Sequence, residues 1–363
     1  MKVAEAVGRA LVAAGVGQVF GVVGSGNFHV TNAMVAAGAR FVAARHEGGA
    51  ATMADAYARV SGAPTALSVH QGPGLTNALT GITEAAKSRT PLLVLAAEAT
   101  GPYSNFRVDQ AVLAHAVGAV GARVTTAHDA VAQALAALGR ARRDRRTVVL
   151  NLPLEVQELE APADAPTTVG PLPEPVAVEP ADHQVDALVA ELRSASRPVF
   201  IAGRGARTPG ARDALVELAS LHGALLATSA VARGLFQANA WSLDISGGFA
   251  SPLAAELITG ADLVVGWGCA LNMWTTRHGT LIGPGARVVQ IDDDPTALGR
   301  HRPIDLGVTG DAERTARRAS RRAGGGGPAT GPRPSRRTSP RAAGGVTCRT
   351  RTRGPRSGST RAP

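Results

Sequence analysis

The sequence predicts an α/β protein with two doubly wound parallel-sheet domains, because short apolar segments alternate with helical patterns in two separate blocks. The first block covers residues 1–160 and the second covers residues 183–315. Residues 161–182 lie between the blocks, are rich in Pro and Ala and show no periodicity, so we interpret them as a linker. Strands connected through crossover helices pair in parallel, which sets the expected sheet type.

The first block begins with an amphipathic helix and continues with five predicted strands. The opening MKVAEAVGRALVAAGVG carries Glu5 and Arg9 at helical spacing, which favours an ordinary helix over a signal peptide. No apolar run approaches the roughly 20 residues of a membrane span, so no membrane partner is expected. The predicted strands, in order, are QVFGVVG, RFVAARHE, TALSVHQGPG, PLLVLAAEA and TVVLNLP.

The second block contains four predicted strands and two glycine-rich turns. The strands are RPVFIAGRGAR, ALLATSAVARG, ADLVVGWGC and ARVVQIDDDP. The turns, GRGAR and GWGCALN, follow the first and third of these strands. Turns of this kind can bind phosphate groups at helix N-termini, but most of them only connect elements. Phosphate binding is therefore the less favoured interpretation of these turns.

The formal net charge of +10 is concentrated at one end of the chain. Residues 312–363 contain 14 arginines and one acidic residue, Glu313, which leaves −3 for residues 1–311. We predict that residues 316–363 form a disordered Arg/Gly/Pro-rich tail, since they offer almost no large apolar side chain to bury. Arg, Gly, Pro and Ala share GC-rich codons, so a frameshift is the favoured origin. A genuine basic arm that binds nucleic acid is the less favoured alternative.

Cysteine and histidine spacing predicts neither a disulfide framework nor a metal site. The two cysteines, Cys269 and Cys348, lie far apart, which is typical of a protein in the reducing cytoplasm. His29, His46 and His115 show no metal-ligand spacing with one another, and we interpret them as packing, orienting or surface residues.

Polar residues and glycines gather at the ends of the predicted strands. Gly24, Glu47, His70 and Glu98 all fall at or just after the carboxyl end of a strand. Ligands of open parallel sheets bind at that edge. The pattern therefore predicts a binding site there.

Four segments together resemble the pyrimidine-binding domain of thiamine-diphosphate-dependent enzymes: FGVVGSGNFH, RHEGGAATMADAYAR, SVHQGPGLTNALTGITEA and TPLLVLAAEA. The branch is that of acetolactate synthase, pyruvate oxidase and benzoylformate decarboxylase. ADLVVGWGC and VVQIDDDP resemble the Rossmann-like central domain of the same family. The resemblance extends from residue 1 to about residue 311. It implies thiamine diphosphate with Mg²⁺ as cofactor and a 2-oxo acid as substrate. Some relatives bind FAD or ADP in the central domain, and FAD is the less favoured additional cofactor here.

The resemblance implies that Glu47 activates the cofactor. From the local pattern alone, Glu47 reads as a solvated carboxylate at a helix N-terminus. In the family, however, the Glu of this segment hydrogen-bonds the pyrimidine ring, where only an acid can exchange a proton. The same resemblance implies that further residues border the cofactor, namely Gly24, Ser25, Gly26, Gly72, Pro73, Gly74 and Asn77. Ordinary tight turns would use the same glycines.

His70 departs from the small or hydroxyl residue that acetolactate synthases tend to carry before the Gly-Pro-Gly loop. It is similar to a histidine of benzoylformate decarboxylase, and an imidazole that titrates near neutrality can relay a proton. A catalytic role for His70 and a packed histidine at a strand end are equally favoured. Gln71 is a candidate for orienting the imidazole or a substrate carboxylate. Gln110 resembles a family residue at the site entrance, although a solvated surface position is the favoured interpretation.

The signature of the family's diphosphate-binding domain is not recognisable, because Gly310-Asp311 is followed by Ala312 and no two Asn residues are adjacent. We therefore expect a truncated 2-oxo acid decarboxylase or carboligase that is inactive alone. One alternative is the pyrimidine-binding subunit of a split enzyme with a separate diphosphate-binding chain. Another is a non-catalytic protein that binds nucleic acid through its arginines. The resemblance also implies a homodimer or homotetramer, since family members bind the cofactor between subunits.

Overall fold

The computed structural model describes residues 1–163, 170–173 and 175–324. The chain divides into two compact units, Met1–Pro175 and Val176–Pro363. Each unit contains a six-stranded sheet in which every pair of neighbouring strands is parallel. The predicted α/β class with two parallel sheets is therefore confirmed.

The strands of the first unit follow the order β2-β1-β3-β4-β6-β5 across the sheet. They are β1 (Gln18–Gly21), β2 (Arg40–Ala43), β3 (Thr65–Val69), β4 (Leu92–Glu98), β5 (Val120–Arg123) and β6 (Thr147–Pro153). The helices are α1 (Val3–Ala13), α2 (Phe28–Ala36), α3 (Glu47–Ser61), α4 (Pro73–Lys87), α5 (Gln110–Ala116), α6 (Ala130–Arg143) and α7 (Leu154–Gln157). The first four strands follow the flavodoxin-like order 2-1-3-4, and β6 is inserted between β4 and the edge strand β5.

Helices cover both faces of the first sheet, which explains why its central strands are continuously apolar. Leu93 and Leu95 of β4 pack with α1 and α6 on one face. Leu92 and Val94 of the same strand pack with α3 and α4 on the other face. Successive side chains of a strand point to opposite faces. Alternate residues of β4 therefore contribute side chains to the same hydrophobic core.

The second unit has the strand order β12-β11-β10-β7-β8-β9. Its strands are β7 (Pro198–Ala202), β8 (Leu225–Thr228), β9 (Ser242–Ile245), β10 (Leu263–Trp267), β11 (Arg287–Asp292) and β12 (Leu306–Thr309). Its α-helices are α8 (Asp182–Ser194), α9 (Pro209–His222), α10 (Pro252–Thr259) and α11 (Ala312–Gly324). Three short 3₁₀ segments are Arg204–Ala206, Ala230–Ala232 and Pro295–Ala297. If β7 is numbered as the first strand, the order reads 6-5-4-1-2-3, which is the Rossmann order 3-2-1-4-5-6 read from the opposite edge.

Three strands were not predicted, and all three are short edge strands. β5, β9 and β12 each have four residues, most of them partly exposed. An edge strand is covered on fewer sides than a central one, so its sequence lacks the long apolar run that identified the other strands.

The predicted start of the tail at residue 316 is wrong, because α11 continues to Gly324. Ala312, Ala316 and Ala319 lie on one side of this helix and are buried in the core of the second unit. Arg318 donates a hydrogen bond of 2.7 Å to the carbonyl oxygen of Pro180. Small alanines let the helix approach the core closely, and the arginines find acceptors at its rim. The remainder of the predicted tail, residues 325–363, lies outside the described residues.

Within residues 1–163, 170–173 and 175–324, every helix is too short or too polar to span a lipid bilayer.

Candidate functional site

The predicted site residues gather where β1 and β3 end side by side. β1 pairs with β2 on one side and with β3 on the other, and Gly21 is in register with Ser68 at the last position of the β1–β3 ladder. The connections that leave these two strands diverge, which opens a crevice at the carboxyl edge. The loop 22–27 and the turn 70–74 both begin at this point.

Glu47 is the first residue of α3, and its side chain is buried, with 9% of its surface exposed. The helix cap is the preceding residue: His46 has an extended backbone, and its Nδ1 accepts a hydrogen bond of 3.0 Å from the amide of Gly48. The solvated-cap interpretation of Glu47 is therefore wrong, since His46 caps the helix and the Glu47 carboxylate points into the unit. Its negative charge is favoured by the helix N-terminus.

Asn77 holds one oxygen of the Glu47 carboxylate and leaves the other free. Its Nδ2 donates a hydrogen bond of 3.0 Å to Glu47 Oε2. A Cβ atom placed on Gly74 would lie 3.5 Å from Glu47 Oε1 and 2.9 Å from the Cβ atom of His70. The absence of a side chain at Gly74 therefore keeps space beside Oε1, and no donor from the described part of the chain reaches that oxygen.

The glycine loop 24–26 packs directly on His70 and Gln71. The amide of Gly26 donates a hydrogen bond of 3.3 Å to His70 Nδ1. A Cβ atom on Gly24 would lie 2.8 Å from the imidazole, and one on Gly26 would lie 1.8 Å from Gln71 Oε1. Both distances are shorter than real Cβ contacts, so a side chain at Gly24 would displace the imidazole and one at Gly26 would displace the Gln71 amide.

His70 is half-buried and electrically neutral in this environment. Its ring packs edge-on against Phe106, with 5.3 Å between the ring centroids. Burial lowers the pKa of His70 from its ordinary value, and the opposing effect of the nearby Glu47 carboxylate is smaller. The imidazole is thus uncharged at neutral pH. The ring packs at a strand end, as expected for a packed histidine. It also borders the crevice, as a catalytic histidine would need to.

Gln110 is buried, with 2% of its surface exposed, so the favoured solvated-surface interpretation was wrong. Its Oε1 accepts a hydrogen bond of 3.2 Å from the amide of Gly72, and its Nε2 donates one of 2.9 Å to Asn151 Oδ1. Both ends of the amide are bonded within the protein. Gln110 therefore supports the turn that carries Gly72, whose φ of 58° suits glycine.

Gln71 carries an unsatisfied buried acceptor. The side chain is 4% exposed, and its Oε1 has no hydrogen-bond partner. Ser25 and Pro73 are exposed, and Pro73 is the first residue of α4. Glu98 ends β4 as predicted, but its carboxylate accepts a hydrogen bond of 2.7 Å from Arg123. Glu98 is thereby committed to an ion pair with the edge strand.

Asn27 was not among the predicted site residues. This residue is 1% exposed, and its Oδ1 accepts a hydrogen bond of 2.8 Å from the amide of Gly24. Its Nδ2 donates to the carbonyl oxygen of Val22 at 3.1 Å and to Ser68 Oγ at 2.9 Å. The only signal in the sequence is a polar residue after a glycine pair, which ordinary turns share.

The glycine-rich turns of the second unit pack against each other. The amide of Gly203 donates to the carbonyl oxygen of Trp267 at 2.8 Å, and that of Gly205 donates to Gly268 at 3.0 Å. The amide of Gly268 donates to Ile291 at 2.8 Å. These three amides are used within the protein, so they offer no free donors to the phosphate of a nucleotide.

In residues 1–163, 170–173 and 175–324, no cluster of three or more His, Cys, Asp or Glu side chains is placed to hold a metal ion.

Comparison with known proteins identifies both units. Residues 1–113 match the family model of the thiamine pyrophosphate enzyme N-terminal TPP binding domain, and residues 185–319 match that of the central domain. Sulfoacetaldehyde acetyltransferase of Castellaniella defragrans is 31% identical over 334 residues, which are 89% of this chain and 54% of that protein.

Two further relatives have different names. The probable 2-ketoarginine decarboxylase of Pseudomonas aeruginosa is 30% identical over 324 residues, which are 86% of this chain and 56% of that protein. The probable acetolactate synthase large subunit of Methanocaldococcus jannaschii is 27% identical over 336 residues, 87% of this chain and 55% of that protein. The chain spans about half the length of the curated relatives it matches. With an N-terminal and a central domain matched in order, the chain belongs to the thiamine pyrophosphate enzyme family.

Proposed function

We propose that the first unit forms the pyrimidine side of a thiamine diphosphate site, with Glu47 as the residue that exchanges a proton with the cofactor. The observation that carries this proposal is the buried Glu47 carboxylate, in which Asn77 occupies Oε2 while Oε1 stays free beside Gly74. Oε1 makes no hydrogen bond within the described residues, so it can accept one from a ligand nitrogen that enters beside Gly74.

The surrounding residues fit a flat aromatic ring. Gly74 leaves open space beside Oε1, and Gly24 and Gly26 bring backbone rather than side chains to the crevice. When bound, thiamine diphosphate supplies a carbon nucleophile that attacks a carbonyl carbon and then holds the electron pair released by carbon–carbon cleavage. Glu47 would exchange a proton at Oε1. His70, neutral and half-buried, would face the substrate side of the crevice.

We propose a 2-oxo acid or a related carbonyl compound as substrate, with decarboxylation or carboligation as the reaction. The named activities of the relatives, an acetolactate synthase, a ketoarginine decarboxylase and a sulfoacetaldehyde acetyltransferase, support this class. We also propose that turnover requires Mg²⁺ and a diphosphate-binding region beyond the residues described here, supplied by further sequence or by a separate chain.

Binding of the cofactor tests the proposal without requiring turnover. Saturation-transfer NMR with thiamine and with thiamine diphosphate, each with and without Mg²⁺, reports which ligand protons touch the protein. We expect saturation of the pyrimidine protons by the wild-type chain and its loss in Glu47→Ala. Thr80→Ala, an exposed position on the same helix as Asn77, serves as the matched control and should bind like the wild type. Equal saturation by wild type and a folded Glu47→Ala variant would refute the assignment.

We further propose that the chain forms a homodimer or a homotetramer through α3. Met53, Tyr57 and Val60 are exposed on this helix at spacings of four and three residues, with Val60 81% exposed. Such an apolar stripe on one helix face is typical of a surface that associates with another copy. Sedimentation at micromolar concentration should give a mass of two or four chains, and Val60→Glu should lower it. A wild-type monomer would count against this assembly.

A further inference from the structure

Asn27 occupies the capping position of α2, but its side chain does not cap that helix. Asn is one of the residues that usually accept a hydrogen bond from the first turn of a helix. Here the side chain turns back and bonds instead to the amide of Gly24, the carbonyl oxygen of Val22 and the hydroxyl of Ser68. All its hydrogen bonds therefore fix the loop that precedes the helix.

Ser68 connects this loop to the strand that carries His70. It is completely buried in β3, two residues before the imidazole. Its hydroxyl also lies 2.8 Å from Thr31 Oγ1 on α2. Through Asn27 the loop after β1 is thus anchored to β3 at a fixed distance from His70.

The anchored loop presents one hydrogen-bond donor to the imidazole, the amide of Gly26, at 3.3 Å from His70 Nδ1. A ring nitrogen that accepts a hydrogen bond must keep its lone pair, so the proton of the neutral ring resides on the other nitrogen. Protonation of Nδ1 would place its N–H opposite the N–H of Gly26, and two donors cannot bond to each other. The loop therefore selects both the tautomer and the neutral state.

The other groups around the ring agree with this state. Phe106 packs on the imidazole without charge, and Gly24 and Gly74 bring only backbone. Glu47 is the charged group of the described residues that acts on His70, and it favours the protonated form. Burial of the ring outweighs that effect, so the pKa of His70 lies below its ordinary value.

We propose that Asn27 is a positioning residue that holds the loop 24–26 so that Gly26 fixes His70 as the neutral Nε2–H tautomer. The meaning of this tautomer rests on the proposed function: a neutral Nε2–H can donate a hydrogen bond to an oxygen of a bound 2-oxo acid. The geometry itself depends only on contacts within the chain.

The tautomer is measured by long-range ¹H–¹⁵N NMR of the full chain without cofactor, over pH 5 to 9, with His70→Gln used to assign the signals. In the wild type we expect the proton on Nε2 and a titration midpoint below about 6.5, the ordinary value for histidine. In Asn27→Ala we expect signals of both tautomers and a midpoint that rises toward that value. Thr31→Val is the matched control, because it removes the hydroxyl that contacts Ser68 and the backbone carbonyl of Asn27 but leaves the side-chain hydrogen bonds of Asn27 to the loop. Its His70 signals should equal those of the wild type.

Asn27→Asp provides a second variant in case Asn27→Ala does not fold. It keeps the acceptor for Gly24 but loses the donor to Val22 and Ser68. Because its added negative charge raises the pKa of a nearby imidazole by itself, the tautomer of His70 is the quantity measured in this variant, and signals of both tautomers are expected. A wild-type proton on Nδ1 would overturn the proposal, and so would unchanged His70 signals in a folded Asn27 variant. These results do not depend on cofactor binding. Failure of the proposed function would instead appear as unaltered saturation transfer in Glu47→Ala.

Discussion

The Nδ2 atom of Asn77 donates a hydrogen bond of 3.0 Å to Glu47 Oε2, across a sequence separation of 30 residues. The bond joins the first turn of α3 to α4 and sets the orientation of a buried carboxylate. It also determines which oxygen of Glu47 faces the open space beside Gly74. The Arg-His-Glu segment is thereby bonded to the helix that begins in the Gly-Pro-Gly turn.

Removing this bond should weaken the fold measurably. We expect Asn77→Ala to lower the free energy of unfolding by about 1 to 3 kcal/mol, because a buried carboxylate oxygen loses its donor. Urea denaturation of the two single variants and of the double variant with Glu47→Ala gives the coupling energy. Thr80→Ala should cost less than about 0.5 kcal/mol, as an exposed substitution on the same helix. Strict additivity of the Asn77 and Glu47 effects would contradict the interaction.

Gly26 should not tolerate even a methyl group. A Cβ atom there would lie 1.8 Å from Gln71 Oε1 and 2.9 Å from the Cβ atom of Ala97. We expect Gly26→Ala to lower the free energy of unfolding by about 1 to 3 kcal/mol, as for an overpacked core. Gly49→Ala on α3 is the control, since nothing lies within 4 Å of its Cβ position. That variant should be neutral or more stable by up to about 1 kcal/mol. Equal stability of the two variants would show that the loop relaxes freely.

The stability of the chain should depend on the protonation of His70 in a defined direction. Its folded-state pKa is lowered, mainly by burial, so the folded state binds this proton less well than the unfolded chain does. The contribution of neutral His70 to the free energy of unfolding is fully present above the unfolded pKa of about 6.5 and is lost as the pH falls below it. Between pH 7.5 and pH 5, urea denaturation should show a larger loss of stability for the wild type than for His70→Gln. Parallel pH curves for the two proteins would argue against a perturbed histidine.

α11 should be an integral part of the second unit. Ala316 is completely buried in its core, so Ala316→Glu places a charge there without a partner. Because an unpaired buried charge costs about 3 to 5 kcal/mol, we expect a loss of that size in chemical denaturation. Arg321→Ala, an exposed position on the same helix, should change stability by less than about 0.5 kcal/mol. A mild effect of Ala316→Glu would mean that the helix separates from the core at little cost.

The amino-acid sequence by itself determined the features that repeat over short distances. The alternation of apolar strands and helical patterns predicted two parallel sheets, and the start of a helix at Glu47 was readable from the change in periodicity. The position of Gly24, Glu47 and His70 at strand ends was also readable from the sequence, whereas Gly26, Gly74 and Asn77 were named only through the family resemblance. Continuous apolar runs marked the central strands, whereas the edge strands β5, β9 and β12 have no such pattern.

Only the tertiary structure decided how the polar side chains pair. Asn27 bonds to Ser68 and Gln110 bonds to Asn151, each across 41 residues, and no local pattern encodes partners at that separation. The predicted start of the tail was wrong for the same reason. In the sequence the arginines of α11 resemble a solvated charged run, but in the fold Pro180, Asp182 and Asp186 accept hydrogen bonds from them. A hydrogen bond or ion pair becomes favourable only when folding brings its two groups together and removes competing water. The sequence can therefore name the donors, while the fold selects their acceptors.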